Sequence, residues 1–363
     1  MINENLLKNE ELAIYKLRAL YSGFGYTQYK MSKFEEYDLY VKNKDFLISD
    51  RVITFTDTNG KLLALKPDVT LSIINNLGKS IEGIHKMYYN ENVYRVSGAT
   101  GKFKEIMQTG LECIGAIGTY EKAEVLYLAL KSLEAIDENF RLEISHASLL
   151  TALLQANGID DSVVSDVLEA IKIKSSGLCE SLLADNKINN EQAELISALC
   201  RNYNNISQVE NALSVFLKDE SVKLFREFSD IVSCVASEAD RITVNFSLAA
   251  EAGYYSGIVF KGFINGIPTS VLSGGQYDKL MRKLGSTGGA VGFAVYPDSF
   301  EGFVKNTDEY DVDTVLLVKE NDNPQDIMNT VGKIRSTGES VSVQTRVPSD
   351  IRYRRVLSME GVI

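Results

Sequence analysis

The sequence predicts an α+β protein built on a largely antiparallel sheet, with a block of helices inserted between two of its strands. Three observations carry that expectation. Several segments alternate apolar and polar residues with period two, two of them turn at an Asn-Gly pair, and the stretch from Ala147 to about Ala239 repeats apolar residues at helical spacing.

Taken in chain order, RVITFTDTNGKLLALKPD (51–68) holds two alternating runs around Asn59-Gly60, a pair that accepts the positive φ angles of a tight hairpin turn. A single strand is expected at Phe140–Ser145, where Phe140, Leu142 and Ile144 alternate with polar neighbours, and another at Ile242–Leu248. Between them HASLLTALLQANG, SVVSDVLEAIKIKSSGLCESLLADN and NEQAELISALCRNY read as helices punctuated by Gly158, Asn186 and Asn202 to Asn205. A second hairpin joins GIVFKGF to IPTSVLSGG across Asn265-Gly266. After Asp311 the pattern becomes a short β-α-β piece: VDTVLLVKE, a helix from Pro324 to about Ser336, then ESVSVQTRV. The expected division is therefore a core over 1–310, carrying the insertion at about 147–239, and a short α/β segment over 311–363.

Composition narrows the function. The 363 residues, 45% of them apolar, suffice for a large core, and no run suits a signal peptide or a bilayer span, so a cytoplasmic location with no membrane partner is expected. The four cysteines (Cys113, Cys179, Cys200, Cys234) are scattered without a CxxC pair and there are two histidines, which argues against a metal cluster and for buried free thiols. A formal charge of −11 disfavours RNA, since phosphate binding needs concentrated cations. The one basic cluster, Arg352, Arg354 and Arg355, reads equally as a solvated terminus or a phosphate site.

The segment VYRVSGATGKFKEIMQTGLECIG (93–115) is similar to motif 2 of class II aminoacyl-tRNA synthetases in the histidyl form. LALKPDVT (63–70) resembles that family's Leu-Arg-Pro-Glu-Gly-Thr stretch, EAGYYSGIVF (251–260) its histidine-specific signature, and SGGQYDKLMRKLG (273–285), with the later GGAVGFAV, its Gly-Gly-Arg-Tyr-Asp run and motif 3 strand. The resemblance implies a class II synthetase-like antiparallel sheet flanked by helices, and a C-terminal piece that looks like a truncated remnant of an anticodon-binding domain.

Departures from the pattern point to a silent branch. Activating an amino acid requires cations around the α-phosphate of ATP, and of the family's three arginines only Arg95 remains. Ala250 and the run Tyr296-Pro297-Asp298 stand where the others belong, and Ser97 replaces a glutamate expected at the adenine. By contrast the residues matching the family's histidine pocket keep their chemical types: Asp68, Gln108, Glu112, Tyr254, Tyr255 and Tyr277, with Arg95 beside them. A carboxylate suits an α-ammonium, a second suits an imidazole N–H, and phenols supply an apolar wall with a polar tip. A kept histidine pocket without nucleotide machinery resembles the regulatory subunits that accompany short-form ATP phosphoribosyltransferase. That implies no catalytic residue, no cofactor, L-histidine as effector in histidine biosynthesis, a hetero-oligomer with the catalytic subunit, a homodimer of this chain within it, and no tRNA partner. The alternative is an active histidyl-tRNA synthetase.

Each of these residues also has a structural reading. Asp68 after Pro67 can cap a helix over Val69–Leu77; Gln108 and Glu112 share a strand face and can form a polar cross-strand pair; Tyr254-Tyr255 in a strand puts one ring on each face; Gly274-Gly275 can be a bulge or a tight strand end. His85 and His146 are expected to be hydrogen-bonded structural residues.

Overall fold

The computed structural model describes residues 7–43, 52–78, 81–96, 100–251, 255–300 and 310–362, which fall into two compact units on either side of Phe303. In the first, helix α1 (Asn9–Gly23) leads into strands β1 (Thr27–Gln28) and β2 (Phe34–Glu36), helix α2 (Tyr37–Val41), strands β3 (Thr54–Thr56) and β4 (Leu62–Leu65), and helix α3 (Val69–Leu77). Two long strands follow, β5 (Ile84–Val96) and β6 (Phe103–Gly115), then α4 (Thr119–Ile136) and β7 (Phe140–His146). Next come α5 (Ala147–Ala156), α6 (Asp161–Lys172), α7 (Ser176–Ala184), α8 (Asn190–Leu199), the short strand β8 (Asn202–Tyr203), α9 (Ile206–Leu213) and α10 (Glu220–Ser233). Strand β9 (Ile242–Asn245), α11 (Ser247–Glu251), β10 (Ile258–Ile264), β11 (Leu272–Gln276), α12 (Asp278–Lys283) and β12 (Gly289–Val295) complete it.

The main sheet has nine strands in the order β1-β5-β6-β12-β11-β10-β7-β9-β8 and is antiparallel except where β1 meets β5 and β7 meets β9. Register places Tyr88, Leu111, Phe293, Gly274 and Phe260 in one row across it and Met87, Glu112, Gly292, Gly275 and Val259 in the next, so the two rows point to opposite faces. The first face holds the core. Tyr21 of α1, wholly buried, meets Phe293 edge-on at 6.0 Å and bonds Ser132 of α4 through its hydroxyl at 3.0 Å. The second face carries Glu112 and opens into a cleft.

Side-chain caps open the helices between β7 and β9. His146 Nδ1 accepts from Leu149 N at 3.1 Å, Asn189 and Gln192 form a reciprocal capping box, and Asn205 Oδ1 accepts from Gln208 N. Asn186, at φ 57°, takes the left-handed conformation that lets the chain turn after α7.

Several expectations need correction. The first hairpin does not turn on two residues: Thr56 pairs with Leu62, and the five-residue loop is organised by Asp57, whose carboxylate accepts from Asn59 N and Lys61 N at 2.8 Å each. Gly60 alone in that loop has positive φ. The strand expected over Ile242–Leu248 stops at Asn245, because Asn245 Oδ1 accepts from Ser247 N and Oγ and so opens α11. Gly274 and Gly275 sit in regular pairing inside β11 rather than at a bulge or end. Tyr255 precedes β10 instead of lying in it, while Tyr254 and Ser97 lie outside the described residues. Cys113 and Cys179 are buried thiols, but Cys200 is half-buried and Cys234, at the C-terminal end of α10, is exposed.

The second unit contains β13 (Val312–Leu317), α13 (Pro324–Ser336), β14 (Val341–Gln344), β15 (Tyr353–Ser358) and β16 (Gly361–Val362), its sheet ordered β14-β13-β15-β16. Two strands thus extend the expected β-α-β piece. They absorb part of the basic cluster: Arg352 pairs with Asp311 at 2.8 Å and Arg355 with Glu339 at 2.6 Å, so these arginines tie strands together.

Candidate functional site

The cleft on the second face of the main sheet encloses about 590 Å³ of open space. Its floor is β6, β11 and β12, and its rim is the β4–α3 junction. Asp68, Arg95, Gln108, Glu112, Tyr255 and Tyr277 all line it, six of the seven residues singled out in the sequence. Tyr254, the seventh, is outside the described residues.

Glu112 is the centre of the arrangement. It is 1% exposed, accepts a 2.6 Å hydrogen bond from Thr70 Oγ1 on one oxygen, and accepts the Tyr277 hydroxyl proton on the other. Burial penalises its charged form and pushes its pKa up to about 8, against the pull of those two hydrogen bonds, with the Asp68 carboxylate adding repulsion. Burial likewise raises Asp68, opposed by the Arg95 guanidinium and by backbone N–H groups of the helix it caps. The capping is explicit: Asp68 accepts from Leu71 N at 2.8 Å. Asp68 therefore both starts α3 and faces the cleft, and the two readings of this residue coexist. Desolvation and the neighbouring Glu112 carboxylate also raise the Tyr277 hydroxyl far above its ordinary range.

Arg95 is the one cation among the described lining residues, and it is engaged. Its Nε donates to Pro67 O at 2.9 Å, and its charge offsets Asp68. Lys66, on the same β4–α3 junction, is wholly buried and paired with Glu91 at 2.9 Å. Asp298 accepts from Met107 N at 3.1 Å, so this carboxylate latches the turn after β12 onto β6.

Close approach of backbone shapes the floor. A Cβ on Gly292 would stand 1.8 Å from a Glu112 oxygen and 2.5 Å from Leu111 O, and one on Gly275 would stand 2.7 Å from the Tyr255 ring. Glycine at these two positions leaves room for Glu112 and for the Tyr255 wall. The sequence reading missed Thr70, Tyr89, Ser273, Tyr296 and Gly292 as site residues. Thr70 lies two residues beyond Asp68 and was within reach of that segment, whereas Tyr89 enters only through its register opposite Gly110.

This antiparallel sheet, with the long β5–β6 hairpin and the cleft on its open face, defines a class II aminoacyl-tRNA synthetase-like protein. The crystal structure of an ATP phosphoribosyltransferase regulatory subunit/histidyl-tRNA synthetase from Bacillus halodurans superposes with a TM-score of 0.75 at 22% identity, covering 96% of this chain and 93% of that one. Histidyl-tRNA synthetase from Nostoc sp. PCC 7120 superposes with a TM-score of 0.71 at 16% identity, covering 94% and 84%. The family model described as Histidyl-tRNA synthetase matches residues 3–300, and the chain belongs to that family. Among curated relatives, the ATP phosphoribosyltransferase regulatory subunit of Clostridium kluyveri is 29% identical over 80% of this chain and 76% of its own length. The protein of the same name from Caldanaerobacter subterraneus subsp. tengcongensis is 28% identical over 77% and 74%.

Proposed function

We propose that this protein is the non-catalytic regulatory subunit of ATP phosphoribosyltransferase, acting at the first step of histidine biosynthesis, and that its cleft senses L-histidine. One observation carries the reading: two carboxylates, Glu112 buried with two hydroxyl partners and Asp68 part-buried beside Arg95, face a cleft whose sole described cation they outnumber. Such a site favours a cationic amine and an imidazole over a triphosphate. The names of the curated relatives support the same reading. Asp68 would take the α-ammonium and Glu112 an imidazole N–H, leaving Arg95 to meet the carboxylate. No group of this chain is assigned a bond-making role, and no cofactor or metal is required. The partner is the short-form catalytic subunit, in the cytoplasm, with tRNA no part of the assembly. Self-pairing of this chain within the complex is supported by an exposed ring pair, Phe34 against Phe55 at 5.3 Å, in and beside the segment GFGYTQYKMSKFEEY.

Regulation requires histidine to bind one state of the complex better than another. Tenfold inhibition needs about 1.4 kcal/mol of differential affinity, within reach of one charge-assisted hydrogen bond made in a single state. The decisive assay measures the catalytic subunit alone, with this chain, and with this chain plus histidine. Activity should rise on adding the chain and fall with histidine; a folded partner indifferent to both would end the proposal. Histidine-dependent exchange of pyrophosphate into ATP should be absent, and exchange at a synthetase's rate would favour the aminoacylating alternative instead.

Binding itself is tested by Asp68→Asn, which keeps an acceptor for the α3 cap but loses the charge, and by Glu112→Gln. Each should weaken histidine by about 1.5–3 kcal/mol in calorimetry. Unchanged affinity in both variants would place the effector elsewhere.

A further inference from the structure

Strands β7 and β9 run parallel, with Leu142 beside Ile242, so Arg141 and Arg241 each fall one residue before the first paired couple, and both line one depression. Like charges in such positions repel. The chain has carboxylates to spare, 49 Asp and Glu against 38 Lys and Arg, yet among the described residues neither guanidinium forms an ion pair. The contrast with β15 is direct, since there Arg352 and Arg355 each have a carboxylate. Arg141 gives Nη1 to Asp240 O, and Arg241 lies over the Phe140 ring at 5.2 Å, a contact that supports its charge while consuming no N–H. Most of the ten N–H donors that two guanidinium groups carry, by about five each, are therefore unspent.

They border a shallow, open depression whose lining also includes Asn139, Phe140, Phe263 and Asn265. The lining is anchored, because Asn265 N donates to Asn139 O at 2.9 Å and β10 pairs with β7 along its whole length. Two planar guanidinium forks with unspent donors, beside amides in a concave surface, suit a small oxyanion. We propose that this depression binds a small ligand through a phosphate-class oxyanion, held between Arg141 and Arg241. The ligand would neutralise two cations that the fold itself leaves unpaired. The site shares no lining residue with the cleft around Glu112, so this assignment stands apart from the histidine reading.

The test titrates the full chain with inorganic phosphate in a calorimeter at constant ionic strength, with acetate as the carboxylate arm, and follows the thermal midpoint in parallel. Phosphate should bind saturably and raise the midpoint. Arg141→Gln and Arg241→Gln should each weaken it at least about tenfold, as losing charge-assisted hydrogen bonds implies, and Arg241→Lys should recover only part of the loss because the fork is gone. Absence of saturable phosphate binding, or equal binding in the folded glutamine variants, overturns the site. Acetate binding as tightly as phosphate overturns the phosphate-class assignment. Histidine affinity, measured on the same folded variants, should not change, and retained phosphate binding by the less perturbing Arg241→Lys at parental strength would likewise refute the fork.

Discussion

Replacing Glu112 by Gln should abolish a loss of stability that the parent protein suffers as pH rises toward 8. Glu112 is wholly buried, and its pKa in the fold is about 8 against an ordinary 4.5. Between those values the folded chain holds a proton that the unfolded chain has released. Stability from this group is therefore complete below about pH 4.5 and falls as pH rises, by about 5 kcal/mol at the limit above pH 8, taking 1.36 kcal/mol per unit. His146 works in the opposite sense: burial lowers its pKa to about 4, so stability is gained between there and the ordinary 6.5. Above pH 6.5 the histidine is neutral in both states and the carboxylate dominates. Urea unfolding at pH 5, 6.5 and 8 should show the parent losing stability over the upper interval and Glu112→Gln losing much less. Parallel profiles in the two proteins would mean that Glu112 is ionised in the fold at neutral pH. On the proposed histidine reading, capture of a cation beside Glu112 near pH 7 would release a proton.

Gly292→Ala should be among the most damaging single-methyl changes in the chain. The added Cβ would lie 1.8 Å from a Glu112 oxygen and 2.5 Å from Leu111 O. The carboxylate could move only by leaving Thr70 and Tyr277, and the Leu111 carbonyl belongs to the neighbouring strand of the sheet. Over-packing of about 1–3 kcal/mol adds to buried hydrogen bonds worth about 1–3 kcal/mol each when one side is orphaned, so a loss above 3 kcal/mol is expected. Gly332→Ala is the control: it lies inside α13 with no atom within 4 Å of the added carbon, and should be neutral or stabilising by up to about 1 kcal/mol. Similar midpoints for both variants would refute the close packing of Glu112 on β12.

Much of the candidate site was legible because its residues sit in short local patterns. Asp68 after a proline and before an apolar helical run marks a cap, and Gln108 and Glu112, four apart in a strand, share a face. The hydrogen-bond partners of Glu112 were another matter. Thr70 is 42 residues away and Tyr277 is 165 away, and neither separation leaves a trace in periodicity. The structural reading of Tyr254-Tyr255 as strand residues fails for Tyr255, which precedes β10 and whose ring fills the space that Gly275 leaves without a side chain. Cys234 was misjudged since composition says that thiols tend to be buried but not which helix face each occupies.

The sequence by itself determined the fold class, the helical block between β7 and β9, the Asp68 cap, the order of the family motifs and the retained carboxylates. Those features are local: a period of two or 3.6, or an oxygen two or three residues from a free N–H, acts over one element. Only the tertiary structure decided that β7 and β9 run parallel, that Arg95 is tied to Pro67 and Asp68, that Asp298 latches onto Met107, and that Arg141 and Arg241 border one depression with no ion pair to either among the described residues. Register and burial govern all four, and both are set by which strands pair across the whole chain, so the charge state and partners of each functional side chain follow from distant residues rather than neighbours in sequence.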